Sequence, residues 1–380
     1  MDKKLLAMVG VLVMMMLGTF SPVQAADTYK IGAALPLTGP AQYMGEAERE
    51  AMNMAVDEIN KQGGVNGQKL EVIYIDTKAD VNTALSVVEK LMSLYKVPVI
   101  ITTDSNSALA TMDNTEKAKV VHLSVARADT FTEKGYKYCF RNQPTNQMLM
   151  DQYMKDMANQ LKMKKLAILV ANYPYGLSAL DGLKKAKLPS VEIVHENKIP
   201  MEATDFTPYL TPIKGSGADT IALICVEKQA IGVVTKFKEL EMDKAGMKIC
   251  GDDHVVETAV LEAVGDKANG VYAQVVYHWS FNKVAENFHN SFKKMYGKEP
   301  GSILNALGYA NIYAIYYGLK EAKTNKDTTA LANALRKIKY DSPLGENATF
   351  DEKGQLQGAS GRIAQVVNGK IEVDPKKWMK

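Results

Sequence analysis

The sequence predicts an α/β protein of two lobes, each a doubly wound parallel sheet. Short, almost continuously apolar runs alternate with amphipathic helical stripes along most of the chain. Strands that are apolar on both faces read as a parallel sheet covered by helices on each side. The alternation runs to Ser124 and begins again at Leu166. The chain of 380 residues is also longer than one hydrophobic core usually serves, so two lobes are expected.

The first 25 residues are read as a leader and set apart from the fold. Lys3 and Lys4 form a basic start, Leu5 to Phe20 is an uncharged apolar run, and Val23-Gln24-Ala25 offers a small-residue cleavage site. The run is short for a membrane span and polar sequence follows it. No cysteine lies near the cleavage point, so a soluble, exported protein without a lipid anchor is expected.

Tyr29 to Leu37 reads as the first strand, followed by the loop "LTGPAQYMGE". Met52, Ala55, Val56 and Ile59 make a helical stripe that stops at Gly63-Gly64. Leu70 to Ile75 is the next strand, and Ala84, Leu85, Val88, Leu91, Met92 and Tyr95 the next stripe. Val97 to Thr102 and Val120 to Ser124 are short strands flanking a third helix. In the second half Leu166 to Ala171, Ser190 to Ile199, Thr220 to Val226, Met247 to Gly251 and Val271 to Val276 read as strands with helices between them. Three helical segments follow between Asn282 and about Lys339, one carrying the stripe Leu307, Tyr309, Ile312, Tyr313, Tyr316. The Lys-Gly and Asn-Gly steps of "FDEKGQL" and "VVNGKIEV" predict hairpin turns near the end.

Open α/β lobes bind ligands outside the carboxyl ends of their strands. The residues of interest are therefore Thr38-Gly39-Pro40, Thr103 to Ser107 and Ser124 to Arg127 in the first lobe. In the second they are Asn172 to Gly176, Glu227-Lys228-Gln229 and Asp252-Asp253. An aspartate at 252 or 253 can cap the helix expected over "HVVETAVLEAVG"; a pair of them raises the question of a cationic partner.

Several chemistries find no support. Without the leader the chain carries 44 basic and 42 acidic residues, interspersed, a net charge of +2, so nucleic acid and anionic membrane have no electrostatic footprint. No Gly-x-Gly-x-x-Gly follows a strand, no phosphate loop occurs, and "GLSAL" around Ser178 lacks the second glycine of a nucleophile elbow. Histidines 122, 195, 254, 278 and 289 show no paired metal spacing. Asp252-Asp253-His254 could hold a divalent ion, but a helix start is the commoner meaning. His122 sits in an apolar strand and reads as a core residue. Cys139, Cys225 and Cys250 are an odd set in apolar surroundings and read as buried thiols, with 225 and 250 ending neighbouring strands. No catalytic set, metal or cofactor is expected.

The segments "IGAALPLTGPAQYMG" and "AMNMAVDEINKQGGVNGQKLEVIYIDT", with "TEKGYKYCFRN" (132–142), "YPYG" (173–176), "DFTPYLTPIKGSGAD" (205–219) and "FDEKGQLQG" (350–358), carry a resemblance. In this order they resemble the periplasmic solute-binding proteins of branched-chain amino acid ABC transporters, from Ile31 almost to the C-terminus. The resemblance implies the type I periplasmic binding protein fold, with three crossover strands near Arg141 to Pro144, Val275 to Trp279 and Gly358 to Arg362. It implies a signal peptide over 1–25, one lobe from 26–142 plus 277–358, and another from 143–276 plus 359–380. It implies a periplasmic monomer that takes a small-molecule ligand to an inner-membrane ABC permease and binds no nucleic acid.

By the same resemblance an amino acid's carboxylate meets Ser105 and the N–H groups of Val125 to Arg127, and its ammonium meets Asp253. Tyr175 matches the family's lid tyrosine, and the first-loop aromatic falls on Tyr43 or its neighbour Met44. Ser124, at the end of its strand, and Leu304 complete the expected contacts. This chain departs from the family where Arg127 replaces a hydroxyl residue, Asp104 stands beside Ser105, Glu227 replaces an aromatic, and the first-lobe disulfide has no cysteines. Arg127 is expected either to grip a ligand carboxylate in a forked geometry or to pair with Asp104. Asp252 is expected to cap, leaving Asp253 to the ligand. A sensory module reporting to a receptor is the alternative function, and a secreted enzyme the third.

Overall fold

Nearly every predicted strand forms, each within a few residues of its expected bounds. The structure is a computed structural model that describes residues 28–378 except Pro40, Lys187, Pro189 and Ser360; the expected leader lies outside the described residues. Strands β1 (Tyr29–Leu35), β2 (Leu70–Asp76), β3 (Val99–Thr102), β4 (Val121–Ser124) and β5 (Cys139–Arg141) make a parallel sheet in the order β2-β1-β3-β4-β5. The second sheet contains β6 (Lys165–Ala171), β7 (Glu192–Ile199), β8 (Thr220–Ile224), β9 (Lys248–Gly251) and β10 (Tyr272–Val275). Their order, β10-β9-β8-β6-β7, repeats that of the first sheet. The repeat is architectural.

β3 (VIIT) and β8 (TIALI) are buried along their whole length, as strands covered on both faces must be. In each sheet the chain order reverses between the first and third strands, which opens a crevice at their carboxyl ends. The two crevices carry the loops singled out from the sequence.

β11 (Tyr340–Ser342), β12 (Gly345–Phe350) and β13 (Leu356–Gln357) form a small antiparallel sheet. β14 (Arg362–Val367) and β15 (Lys370–Glu372) extend the second sheet antiparallel to β10. Both predicted hairpin turns are present, the second with Asn368 and Gly369 at positive φ. The chain passes from the first large sheet to the second after β5, leaves the second after β10 for helices and the small sheet, and returns to it at β14.

Helix α1 (Gln42–Lys61) packs along α11 (Ile303–Ala322), its most extensive partner. The crossing is close: a Cβ at Gly308 would stand 2.6 Å from the Glu48 carbonyl oxygen. On α11 Tyr309 and Tyr313 both donate to Glu58 Oε2, at 2.7 and 2.9 Å. α3 (Ser105–Lys117) starts directly after β3, α6 (Pro174–Lys185) after β6, and α8 (Glu227–Glu239) after β8.

One element differs from expectation. The single helix expected after Asp253 is a 3-10 turn over Asp253–Val256, then α9 (Thr258–Val264). Glu257 breaks it with extended backbone at φ −59°, ψ 153°, its carboxylate held by His254 and Ser302. Helix propensity loses to a side chain recruited by the other sheet's helices.

The three cysteines are buried. His122 is a core residue with both ring nitrogens near hydroxyls, Thr102 at 2.8 Å and Thr115 at 3.1 Å.

Candidate functional site

Arg127 follows β4, on a loop that the chain pins firmly. Buried Arg141 donates to the carbonyls of Ala128 and Asp129, and the Arg127 carbonyl accepts from Asn146 N–H at 3.2 Å. Gln143 Oε1 accepts from Arg127 Nε at 3.1 Å. The guanidinium thus points toward the second sheet.

There it meets both aspartates of the loop after β9. Arg127 Nη1 donates to Asp252 Oδ2 at 2.8 Å, and Nη2 donates to Asp253 Oδ2. Asp252 Oδ2 also accepts from the Tyr175 hydroxyl, and its Oδ1 from His254 N–H at 3.3 Å. Asp253 Oδ1 accepts from Val276 N–H at 2.7 Å. All four side chains are buried.

Burial works against the Arg127 charge, but Asp253 and Asp252 outweigh it and raise its pKa. Burial and the neighbouring Asp252 raise the Asp253 pKa, while Arg127 opposes them. One cation stands between two acids, so the ionised trio carries a net charge of −1.

These contacts correct one expectation for Arg127. Asp104 does not pair with Arg127. It caps α3, accepting from Ser107 N–H at 2.8 Å and Ser107 Oγ at 2.7 Å. Asp252 caps the 3-10 turn, as expected, and holds Arg127 as well.

A cavity of about 30 Å³ lies beside this trio, room for about one water. Met44, Val125, Ile303, Leu304 and Leu307 give it an apolar wall. Thr103, Ser105, Arg127, Gln143, Tyr173, Tyr175 and His254 give the polar one. Of the expected contacts, Ser105, Val125, Arg127, Tyr175 and Leu304 line it, whereas Tyr43, Asp104, Ser124, Glu227 and Asp253 do not.

The reasons are local. Met44, not Tyr43, turns to the cavity; the Tyr43 oxygen lies 3.5 Å from Glu227 N–H, which donates to it. Ser124 Oγ donates to the Thr102 carbonyl and accepts from Ala126 N–H, so it shapes the loop. Asp253 stands behind Arg127. Gln143, His254, Ile303 and Leu307 were missed. Leu307 was visible only as part of a stripe that looked like core, and Gln143 only as part of the crossover expected over Arg141 to Pro144.

His254 joins a second polar cluster. Its Nδ1 lies 3.0 Å from Glu257 Oε1, which accepts from Ser302 Oγ at 2.7 Å. Burial alone would depress the His254 pKa, but Glu257 and Asp252 outweigh it and raise it above 6.5. Burial, with Glu257 nearby, pushes half-buried Glu227 from 4.5 up to about 7 against the pull of His254.

Both shifts make the folded protein bind more protons than the unfolded chain, so stability falls as pH rises. Glu227 contributes the fall from 4.5 to about 7, and His254 a further fall above 6.5 as pH passes its raised folded value. In melting curves across that range, Glu227→Gln should flatten the lower part and His254→Gln the upper part. Unchanged slopes in both variants would contradict the assignment.

A family model described as periplasmic binding protein matches residues 28–370. The chain belongs to the periplasmic binding protein family. Among curated relatives of this periplasmic binding protein is the leucine-, isoleucine-, valine-, threonine- and alanine-binding protein of Pseudomonas aeruginosa. The two are 27% identical over 342 residues, covering 90% of each chain. Two solved structures share the fold at a TM-score of 0.83. One is the branched-chain amino acid transporter substrate-binding protein LivJ of Streptococcus pneumoniae in complex with isoleucine, 25% identical, covering 91% of this chain and 98% of that one. The other is an ABC transporter solute-binding protein of Rhodopseudomonas palustris in complex with 3,4-dihydroxybenzoic acid, 27% identical, covering 90% and 95%. These relatives are binding proteins, not enzymes, and the fold is the two-lobed type I architecture. Among the described residues no helix is long and apolar enough to cross a membrane.

Proposed function

We propose that this periplasmic binding protein captures an amino acid between its lobes and delivers it to an inner-membrane ABC permease. The observation that carries the proposal is Arg127 between Asp252 and Asp253, both signs of charge at one point beside an apolar wall. A zwitterion can exchange with both halves of such a cluster. Its carboxylate would meet Ser105, the N–H groups of residues 125–127 and the guanidinium; its ammonium would meet Asp253. Buried charges are costly unless paired, so the site favours zwitterions over hydrocarbons of the same shape.

The excess negative charge of the trio argues against a simple anion. The aromatic acid held by the Rhodopseudomonas palustris neighbour would add a second uncompensated charge, whereas an amino acid brings its own cation. The lobes proposed are 26–142 with 277–358, and 143–276 with 359–380. They would close as a monomer about the three connections, with the leader removed near Ala25.

A thermal-shift screen of amino acids and small carboxylates tests this. A ligand at 100 times its Kd should add roughly 2.7 kcal/mol of apparent stability and be recovered unchanged by mass spectrometry. Stabilisation by benzoate and by no amino acid would overturn the proposal, as would recovery of a converted product.

A further inference from the structure

Glu48 sits on α1, four residues after Met44 and therefore on the same helical face, and Met44 lines the cavity. The Glu48 side chain is wholly buried, and neither carboxyl oxygen has a hydrogen-bond partner among the described residues. Thr103 faces it without reaching hydrogen-bond geometry. The Thr103 hydroxyl is itself unpartnered and lines the cavity. Burial raises the Glu48 pKa well above 4.5; Asp104 adds to the rise and Thr103 opposes it.

A partnerless buried acid is unfavourable by a few kcal/mol in general, and a leucine or methionine would fill the same space without that penalty. The backbone gives the side chain no escape to solvent, because α1 and α11 touch through Glu48 and Gly308. Among the described residues no hydrogen bond or ion pair uses the carboxyl. Glu48 and Thr103 form an unfilled polar pair that opens on the cavity through Thr103.

We infer that Glu48, acting through the Thr103 hydroxyl, selects ligands whose side chain carries a hydrogen-bond donor. The substrate class is then polar amino acids such as hydroxyl or amide side chains, not aliphatic ones. In the occupied site the Thr103 hydroxyl donates a hydrogen bond to a Glu48 carboxyl oxygen and turns a lone pair to the ligand's donor. Glu48 is a positioning residue, since Thr103 is what touches the ligand. An aliphatic side chain in the same place leaves the Thr103 oxygen unpaired and dry, which is the source of discrimination. The inference rests on the amino-acid proposal above and narrows it.

Isothermal titration with two near-isosteric pairs, threonine with valine and asparagine with leucine, tests the inference. Wild-type protein should favour the polar member of the pair that fits by about tenfold or more, equivalent to about 1.4 kcal/mol. Glu48→Leu and Thr103→Val should each bring that ratio close to one, while Glu48→Gln, which keeps shape and polarity, should retain most of it. Glu48→Leu should melt no lower than wild type, which separates lost selectivity from lost fold. Valine and leucine preferred by the wild type, or a ratio undiminished in Glu48→Leu, would overturn the inference and leave the amino-acid proposal standing. If no amino acid binds, that proposal falls and this inference with it.

Discussion

Arg127→Ala should weaken amino-acid binding by roughly 30- to several-thousand-fold, corresponding to about 2–5 kcal/mol for removing one partner of a buried charge pair. The guanidinium holds Asp252 and Asp253 together from the opposite sheet. Without it two carboxylates lie side by side in a buried site, and one must take up a proton or the lobes must part. The defect should therefore appear in affinity and in proton uptake more than in the unfolding of either lobe. Arg127→Lys should recover only part of the loss, because a single ammonium cannot bridge two carboxylates in the forked geometry. Calorimetry in two buffers of different ionisation heat measures both quantities. Affinity within threefold of wild type for Arg127→Ala would show that the residue only props the loop.

The two aspartates should part company when changed singly, and together should reverse the charge preference of the site. Asp252→Ala removes the Tyr175 acceptor, the His254 cap and half of the Arg127 clamp. It should cost about 1 kcal/mol of stability as a lost cap and also weaken binding. Asp253→Ala removes the excess charge and leaves a neutral Arg127–Asp252 pair. It should weaken an ammonium-bearing ligand by about 2–5 kcal/mol with the smaller effect on stability. The double variant leaves a buried, unpaired guanidinium, which should now accept a simple carboxylate such as benzoate in place of a zwitterion. The effects share one partner and should be strongly non-additive. Equal losses in both single variants with no gain of anion binding in the double would refute this division.

The fold was legible because its signals are local. The apolar run Val99 to Thr102 declares a buried strand without reference to anything else. The helix cap at Asp80, where the side chain accepts from Thr83 N–H at 2.7 Å, likewise depends on residues three apart. The site was legible as a set of loops, since ligand crevices of doubly wound sheets lie at strand ends, and Ser105, Arg127 and Tyr175 fall there. Tyr43 illustrates the limit. Its neighbour Met44 turns inward instead, and one residue along a helix rotates a side chain by about 100°, beyond what loop-level reasoning resolves.

The order of strands and helices, the two-lobed α/β class and the loops that meet in the crevice follow from the sequence alone. Only the tertiary structure decided who pairs with whom. Arg127 and Asp252 are 125 residues apart, and no propensity or spacing reports an approach across two sheets. Nothing beside Glu48 in the sequence marks it as buried. Its burial follows from how closely α11 crosses α1 at Gly308, a distance set by packing. Secondary structure is written in neighbours along the chain, whereas the energy of a buried charge depends on what the fold brings within a few ångströms of it.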